Sequence, residues 1–565
     1  MCAPDLCRNR FVEFSVVNAR RRLPLPSVTR AARVLPRLGR PGSRSAELHE
    51  SSLIDASSTR PSIAEANRFA LLRWAGLVGT ILMGLGGLGG GAMPVVGNPY
   101  VHLPGGALMS RMLQTSSALI LIGVGLLVVS WVLMAPFAGA GGTPARVGKA
   151  AVARTFAAWV IPLILTAPLF TQDIYSYLAQ GSIVRQGLDP YAAGPVEILG
   201  PENHLARSVP FIWAQSPSPY GPVALGVSAA ISWLTSDSIV LGVVAHRLVS
   251  LMGIGVAGWA VVALARRCGV SPSAALWLGV LNPLTILHLV GGIHNEAILL
   301  GLMLVGVELG LRGVDALGSR NAAAVVYLTG SGALISCAGL VKVTGFIALG
   351  FVGMALAREL ARRVAPAVAL VVAAATQAAL LVATTVVVSA VTGIGYGWVT
   401  GQGGAASIRS WLSITTDIAV IAGHLGMLLG LGDHIDAMLV VTRGAGVLVA
   451  GVFLVRMLWA TFRGAIHPVG ALGVATLVLV ILFPVVHPWY PLWAILPLAA
   501  WANRLFFRAA VVAYSAIFSF LVLPRGLALD PGAVFTIYAT AAASFAVLCA
   551  AAWWWYRRSG RRSLN

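Results

Sequence analysis

Apolar runs of about 20 residues, separated by short polar stretches, recur from Phe69 almost to the C-terminus. Each is long enough to cross about 30 Å of hydrocarbon as an α-helix, which satisfies its own backbone hydrogen bonds in lipid. The runs do not alternate apolar with polar, so a membrane β-barrel is excluded. The pattern predicts an all-α polytopic membrane protein. Spans are expected at about 70–90, 116–137, 151–169, 238–264, 272–290, 295–313, 323–341, 343–357, 366–392, 435–455, 467–486, 489–503, 508–523 and 533–555. A set of roughly 13–15 transmembrane helices follows.

Arg and Lys orient the set, because cytoplasmic loops carry them in excess. Arg146, Lys149 and Arg154 cluster at the start of the third span, which puts its far end, and a long loop over 170–222, outside. The same rule places "ARRCG" (265–269) and "ARELARR" (357–363) inside. It also makes 222–235 and 413–431 re-entrant or interfacial, since a crossing there would invert the loops that follow. Residues 1–68, rich in Arg, Ser and Pro, read as a disordered basic cytoplasmic arm. Residues 69–555 form the membrane domain and 556–565 a basic cytoplasmic tail. The expected location is the cytoplasmic membrane, multi-pass, with both termini inside.

Composition narrows the function. Of 565 residues 58% are hydrophobic and 10% charged, against about a quarter charged in soluble domains. The net charge of +20 is almost all Arg; Lys149 and Lys342 are the two lysines. The basic residues sit at span ends and termini, so membrane lipids are the expected neighbours and nucleic acid is not a partner. Five cysteines show neither metal spacing nor a disulfide framework. There is no phosphate-binding Gly-rich loop followed by Lys and Ser/Thr, and no zinc-protease motif.

Against this background, acids at span edges stand out. Asp173, in "LFTQDIYSYLAQG", ends an apolar run. A carboxylate at a membrane boundary is costly unless solvated, paired or functional. It reads either as a helix-end acid or as a general base. Its loop supplies the groups that grip sugars: carboxylates (Asp173, Asp189), amides (Gln172, Gln180) and rings (Tyr175, Tyr177, Tyr191, Trp213, Tyr220). Asp189, in "GLDPY", also suits a plain turn. In "GGIHNEAI", His294, Asn295 and Glu296 are three successive polar groups opening a span. Asn295 reads as a helix cap, and Glu296 suits the helix dipole. Lys342 interrupts an apolar stretch, either snorkelling or contacting an anion. Arg409 offers the same chemistry, and Arg443 and Arg247 are further anion-contact candidates that helix-pair salt bridges would also explain. In "HPWYPLW", Trp489 and Tyr490 read as interface anchors, and His487 as the less expected member.

Together "TQDIYSYLAQG", "GLDPY", "GGIHNE" and "HPWY" resemble the actinobacterial polyprenyl-phosphate-mannose-dependent α-(1→6)-mannosyltransferases, over about residues 70–555. The resemblance implies a GT-C type helix bundle. It implies a polyprenyl-phosphate mannose donor and a lipid-anchored mannan acceptor of the lipomannan and lipoarabinomannan pathway. It implies single-step inversion with Asp173 as the general base. Gln172, Tyr175, Tyr177, Asp189, Tyr191, Tyr220, His294, Asn295, Glu296 and His487 become expected substrate contacts, and Lys342, Arg409 and Arg443 expected phosphate contacts. No cofactor is required and no metal ligand is assigned. Many relatives carry Asp where Glu296 stands. The alternatives are a related transferase using another lipid-linked sugar, or a polyprenyl-lipid flippase.

Overall fold

The computed structural model describes residues 48–49, 61–140, 144–318, 321–401 and 408–562. The expected disorder of the basic arm falls mostly outside the described residues, but its last part is helical. The first helix, α1 (Ile63–Gly90), starts at a capping box. Ser62 Oγ accepts from Glu65 N–H while the Glu65 carboxylate accepts from Ser62 N–H. Ser-x-x-Glu ahead of an apolar run nucleates a helix by satisfying two orphan donors, so the start lies six residues before Phe69.

The principal helices that follow are α2 (Leu113–Leu133), α3 (Lys149–Val160), α4 (Asp173–Arg185), α5 (Pro222–Thr235), α6 (Ile239–Arg267), α7 (Pro272–Gly279), α8 (Glu296–Ala316), α9 (Asn321–Gly339), α10 (Ile347–Leu360), α11 (Pro366–Thr392), α12 (Ile414–Leu428), α13 (Ile435–Phe462), α14 (Pro468–Leu482), α15 (Leu492–Trp501), α16 (Leu505–Phe518) and α17 (Pro531–Arg562). Among the described residues, nine helices are long and apolar enough to cross a membrane, and α5, α12, α14, α15 and α16 are shorter apolar ones. At about 1.5 Å per residue, the 14 residues of α5 and 15 of α12 fall short of the hydrocarbon thickness, and so do α14, α15 and α16, at 15, 10 and 14 residues, where the expected spans were longer.

Two expected spans are broken. The run over 151–169 is helical only to Val160, passes through a 3₁₀ turn at Ile161–Leu163, and then runs irregularly. Pro162 lacks the N–H needed to continue the ladder. The run over 272–290 stops at Gly279, ahead of Pro283, and resumes as a π-helix over Thr285–Gly291. Asn282 Oδ1 bridges the break by accepting from Leu284 N–H. Hydrophobicity alone could not show these breaks, because the residues are apolar whether helical or not.

Small residues let the irregular stretch after α3 reach the core. A Cβ on Gly84 would lie 2.6 Å from Pro162 O, and one on Gly79 2.6 Å from Gly123 O. α1 therefore meets both α2 and the 162–169 segment backbone to backbone, the contact small residues allow between apolar helices. α2 is locked to α7 by Trp131 and Trp277. Their rings stack at 4.9 Å, and each Nε1–H donates to the other's carbonyl, at 2.9 and 2.8 Å. The start of α8 presses on α6, where a Cβ on Gly253 would meet Ala297 O at 2.5 Å. That contact fixes the level of Glu296.

Candidate active site

Both broken runs end at chemistry. Asp173 is the first residue of α4, where the N-terminal dipole favours a carboxylate. Three residues before it, Phe170 has φ 69°, and immediately before His294, Ile293 has φ 59°. A β-branched residue in the left-handed region is strained. The left-handed residue of this turn is thus Ile293 and neither of the two glycines before it. Such strain persists only where surrounding contacts impose it, and it clusters at functional sites. π-Helical segments cluster there too. The two segments are tied by Leu169 N–H donating to Gly291 O at 3.0 Å, and Phe170 N–H donates to Pro524 O at 2.7 Å.

The Asp173 carboxylate is one-fifth exposed, and its two oxygens face different partners. Oδ1 accepts from Trp213 Nε1–H at 2.8 Å, and Oδ2 lies 3.7 Å from His294 Nδ1. His294 is buried and stacks on Trp489 at 3.9 Å, and His487 stacks on the same indole at 4.6 Å. Glu296, first residue of α8, accepts from Lys342 Nζ at 2.9 Å. Lys342 also donates to Tyr490 Oη at 3.1 Å and lies over the rings of Tyr490 and Trp493. It sits in the break between α9 and α10, just before the 3₁₀ turn Val343–Phe346.

Burial sets the charges. It pushes the Lys342 ammonium down, but Glu296 and then Tyr490 and Tyr220 outweigh it and hold the group above its ordinary value. Burial lowers His294, against opposition from Glu296 and Asp173. It lowers His487 to about 4, with Asp173 opposing and Lys342 and His294 adding to the shift. At neutral pH both imidazoles are uncharged, and Lys342 is an ammonium ion-paired with Glu296.

These residues line a cavity of about 260 Å³. Its polar and aromatic lining is Asp173, Trp213, Tyr220, His294, Glu296, Lys342, His487, Trp489 and Tyr490, and Val343, Ile408, Val447, Phe483, Pro484 and Val485 add apolar surface. His294 Nε2, Thr344 Oγ1 and Trp489 Nε1 are buried on this cavity without a protein partner among the described residues.

Seven residues singled out in the sequence, Asp173, Trp213, Tyr220, His294, Glu296, Lys342 and His487, therefore line one cavity. The rest serve around it. Gln172 donates to Met93 O and Tyr175 to Ala92 O, both buried away from the cavity. Tyr177 is buried behind Tyr220, with the two hydroxyls 3.2 Å apart. Asp189 Oδ1 accepts from Tyr191 N–H, a self-contained turn, and Tyr191 Oη donates to Tyr220 O. This pair supports Tyr220 rather than lining the site. Asn295 holds the N-cap position of α8 but makes no side-chain capping bond; its φ and ψ are already helical. Arg409 is ion-paired to Asp436, and Arg443 bonds Thr416 Oγ1 and Ile408 O; neither lines the cavity.

Trp489 and Tyr490 correct the interface-anchor expectation: both are buried and face the site. Trp489 and Tyr490 had no distinguishing sequence signal beyond their ring chemistry and their nearness to Pro and His. Among the described residues Arg247 forms no salt bridge with a neighbouring helix. It is fully buried, and its guanidinium donates to the carbonyls of Ile164, Thr166, Ala167 and Val290.

A bundle of membrane-length helices around a cavity lined by a carboxylate, two imidazoles and a Lys–Glu ion pair defines the class, a multi-pass membrane enzyme. Residues 73–358 match the family described as "Alpha-(1->6)-mannopyranosyltransferase, N-terminal domain", and 415–551 match "MptB C-terminal domain". The chain belongs to this family and is an α-(1→6)-mannopyranosyltransferase. It is 61% identical to alpha-(1->6)-mannopyranosyltransferase B of Corynebacterium glutamicum, over 93% of this chain and 92% of that one. It is 33% identical to alpha-(1->6)-mannopyranosyltransferase A of Mycobacterium tuberculosis, over 79% and 83%. The archaeal oligosaccharyltransferase AglB from Archaeoglobus fulgidus resembles it only weakly, with TM-score 0.34, 13% identity and coverage of 77% of this chain and 56% of that one.

Proposed function

We propose that this mannosyltransferase takes mannose from a polyprenyl-phosphate mannose and adds it to the α-(1→6) backbone of a lipid-anchored mannan, a lipomannan or lipoarabinomannan precursor. The observation that carries this reading is Asp173. One of its oxygens is held by Trp213, and the other faces the cavity's His294. A carboxylate so held keeps an oriented lone pair for a hydroxyl proton.

In the transfer, the acceptor 6-hydroxyl attacks C1 of mannose from the face opposite the phosphate. Its proton passes to Asp173 as the O6–C1 bond forms. The C1–O bond breaks with its electron pair staying on the polyprenyl phosphate, an acidic leaving group that needs no general acid. A β-linked donor then gives an α product. Lys342 offers the departing phosphate its third N–H, two being engaged by Glu296 and Tyr490. Such a donor aimed where charge develops stabilises the transition state. His294 Nε2, Thr344 Oγ1 and Trp489 Nε1 suit a ligand rich in hydroxyls. The apolar lining of Val343, Ile408, Val447 and Phe483 suits the first isoprene units.

The Arg-rich loops support an orientation with this cavity on the outer face of the cytoplasmic membrane and both termini inside. The test is reconstitution in liposomes with labelled polyprenyl-phosphate mannose and a short α-(1→6)-mannoside. Chain extension is expected from the wild type and Asp189→Asn, and not from Asp173→Asn. Full extension by Asp173→Asn would remove the assignment of the base, and extension only with a different lipid-linked sugar would replace the donor.

A further inference from the structure

We propose that Arg247 is the positioning residue that sets the separation of Asp173 from His294 and Glu296. The inference rests on the reading of Asp173 as base and goes beyond it to how the base is placed.

Arg247 lies in α6, fully buried, and no carboxylate pairs with it among the described residues. Its nitrogens instead bridge two chain segments. Nη1 donates to Ile164 O and Thr166 O, both at 2.7 Å, and Nη2 to Ala167 O at 3.3 Å. Nε donates to Val290 O at 3.1 Å. The first three carbonyls belong to the irregular stretch after α3, which runs on to Asp173. Val290 stands near the end of the π-helix that runs on to His294.

A guanidinium buried without a counter-ion is costly, and packing alone would be served by Met or Leu. Carbonyls freed by a broken helix, however, need donors where water is excluded. Arg presents several donors in one rigid plane, which Lys does not. One side chain thus satisfies both segments and holds them in register.

The strained residues support this. Phe170 and Ile293, both at positive φ, each lie between the carbonyls bound by Arg247 and a site residue. Strain of that kind relaxes unless the flanking backbone is held. Leu169 N–H on Gly291 O is the one other direct bond between the two segments that joins backbone to backbone among the described residues. On release by Arg247, Phe170 and Ile293 can return to ordinary conformations, moving Asp173 relative to His294 while leaving the apolar lining and Lys342 in place.

The experiment compares full-length wild type with Arg247→Lys, Arg247→Met and Asp173→Asn in liposomes. It records kcat, donor KM and thermal unfolding. A misplacement of about 1 Å costs about 100-fold in rate, so Arg247→Met is expected to lose about that in kcat with donor KM within about threefold. Arg247→Lys, which keeps the charge but not the fork, is expected to lose about tenfold in kcat with donor KM within about threefold. If Arg247→Met fails to fold, Arg247→Lys carries the test by the same split of kcat from KM. Wild-type kcat in a folded Arg247 variant, or a loss of kcat with raised donor KM and a lowered unfolding temperature in both, overturns the proposal. Activity in Asp173→Asn would instead overturn the assignment of the base, so the two failures are distinct.

Discussion

Glu296 Oε1 lies 2.9 Å from Lys342 Nζ, joining the first turn of α8 to the break between α9 and α10. The carboxylate side chain is 4% exposed and the ammonium 21%. The pair is thus largely removed from water, and its two halves depend on each other. In chain order they stand 46 residues apart.

Lys342→Met is therefore expected to be more damaging than loss of a phosphate contact alone. It strands the Glu296 carboxylate, and breaking such a pair from one side costs about 3 kcal/mol. The double variant Glu296→Gln/Lys342→Met should recover most of that stability, as read by thermal unfolding in detergent. Transfer should remain lost, because the phosphate donor is still missing. Recovery of both together would make the pair purely structural.

Trp213 separates the two supports of Asp173. Trp213→Phe keeps a ring but removes the Nε1–H held by Oδ1. A drop in kcat of about tenfold is expected, against about 100-fold or more for Asp173→Asn. An unchanged kcat would show that His294 alone orients the carboxylate.

Acid should weaken the fold through the histidines. His487, lowered to about 4, and His294, also lowered, are neutral when buried. Unfolded, each takes its proton near its ordinary value of about 6.5. Between those values the unfolded chain binds more protons, so stability is complete above about pH 6.5 and declines as pH falls toward 4. Unfolding temperatures from pH 8 to 5 should fall accordingly, and His487→Phe should flatten part of the slope. A wild-type curve flat across that range would contradict the burial of both rings.

Gly526, at φ 68°, packs against the backbone next to the site; a Cβ there would lie 2.8 Å from Thr171 Cα. Gly526→Ala meets both the left-handed penalty of about 1–2 kcal/mol and that clash. It should lower the unfolding temperature and the transfer rate together, since Thr171 Oγ1 accepts from Asp173 N–H. A variant that unfolds at the wild-type temperature would show that this loop yields freely.

Hydrophobic runs alone determined that the chain is an all-helical membrane protein, because lipid leaves a spanning chain few other ways to satisfy its backbone. Polar residues at the edges of those runs marked Asp173, His294, Glu296, Lys342 and His487, since such residues there demand a reason. The tertiary structure decided which of them share a cavity. It set Asp189 and Tyr191 aside as a turn that supports Tyr220, and it gave Arg409 to Asp436. It turned Trp489 from a membrane anchor into the ring on which His294 and His487 stack. It also showed where two apolar runs break and how Arg247 holds the broken ends. The difference is physical. Hydrophobicity is a local property summed along the chain, whereas a hydrogen bond from Arg247 to Val290, or from Lys342 to Glu296, exists only once distant segments are packed together.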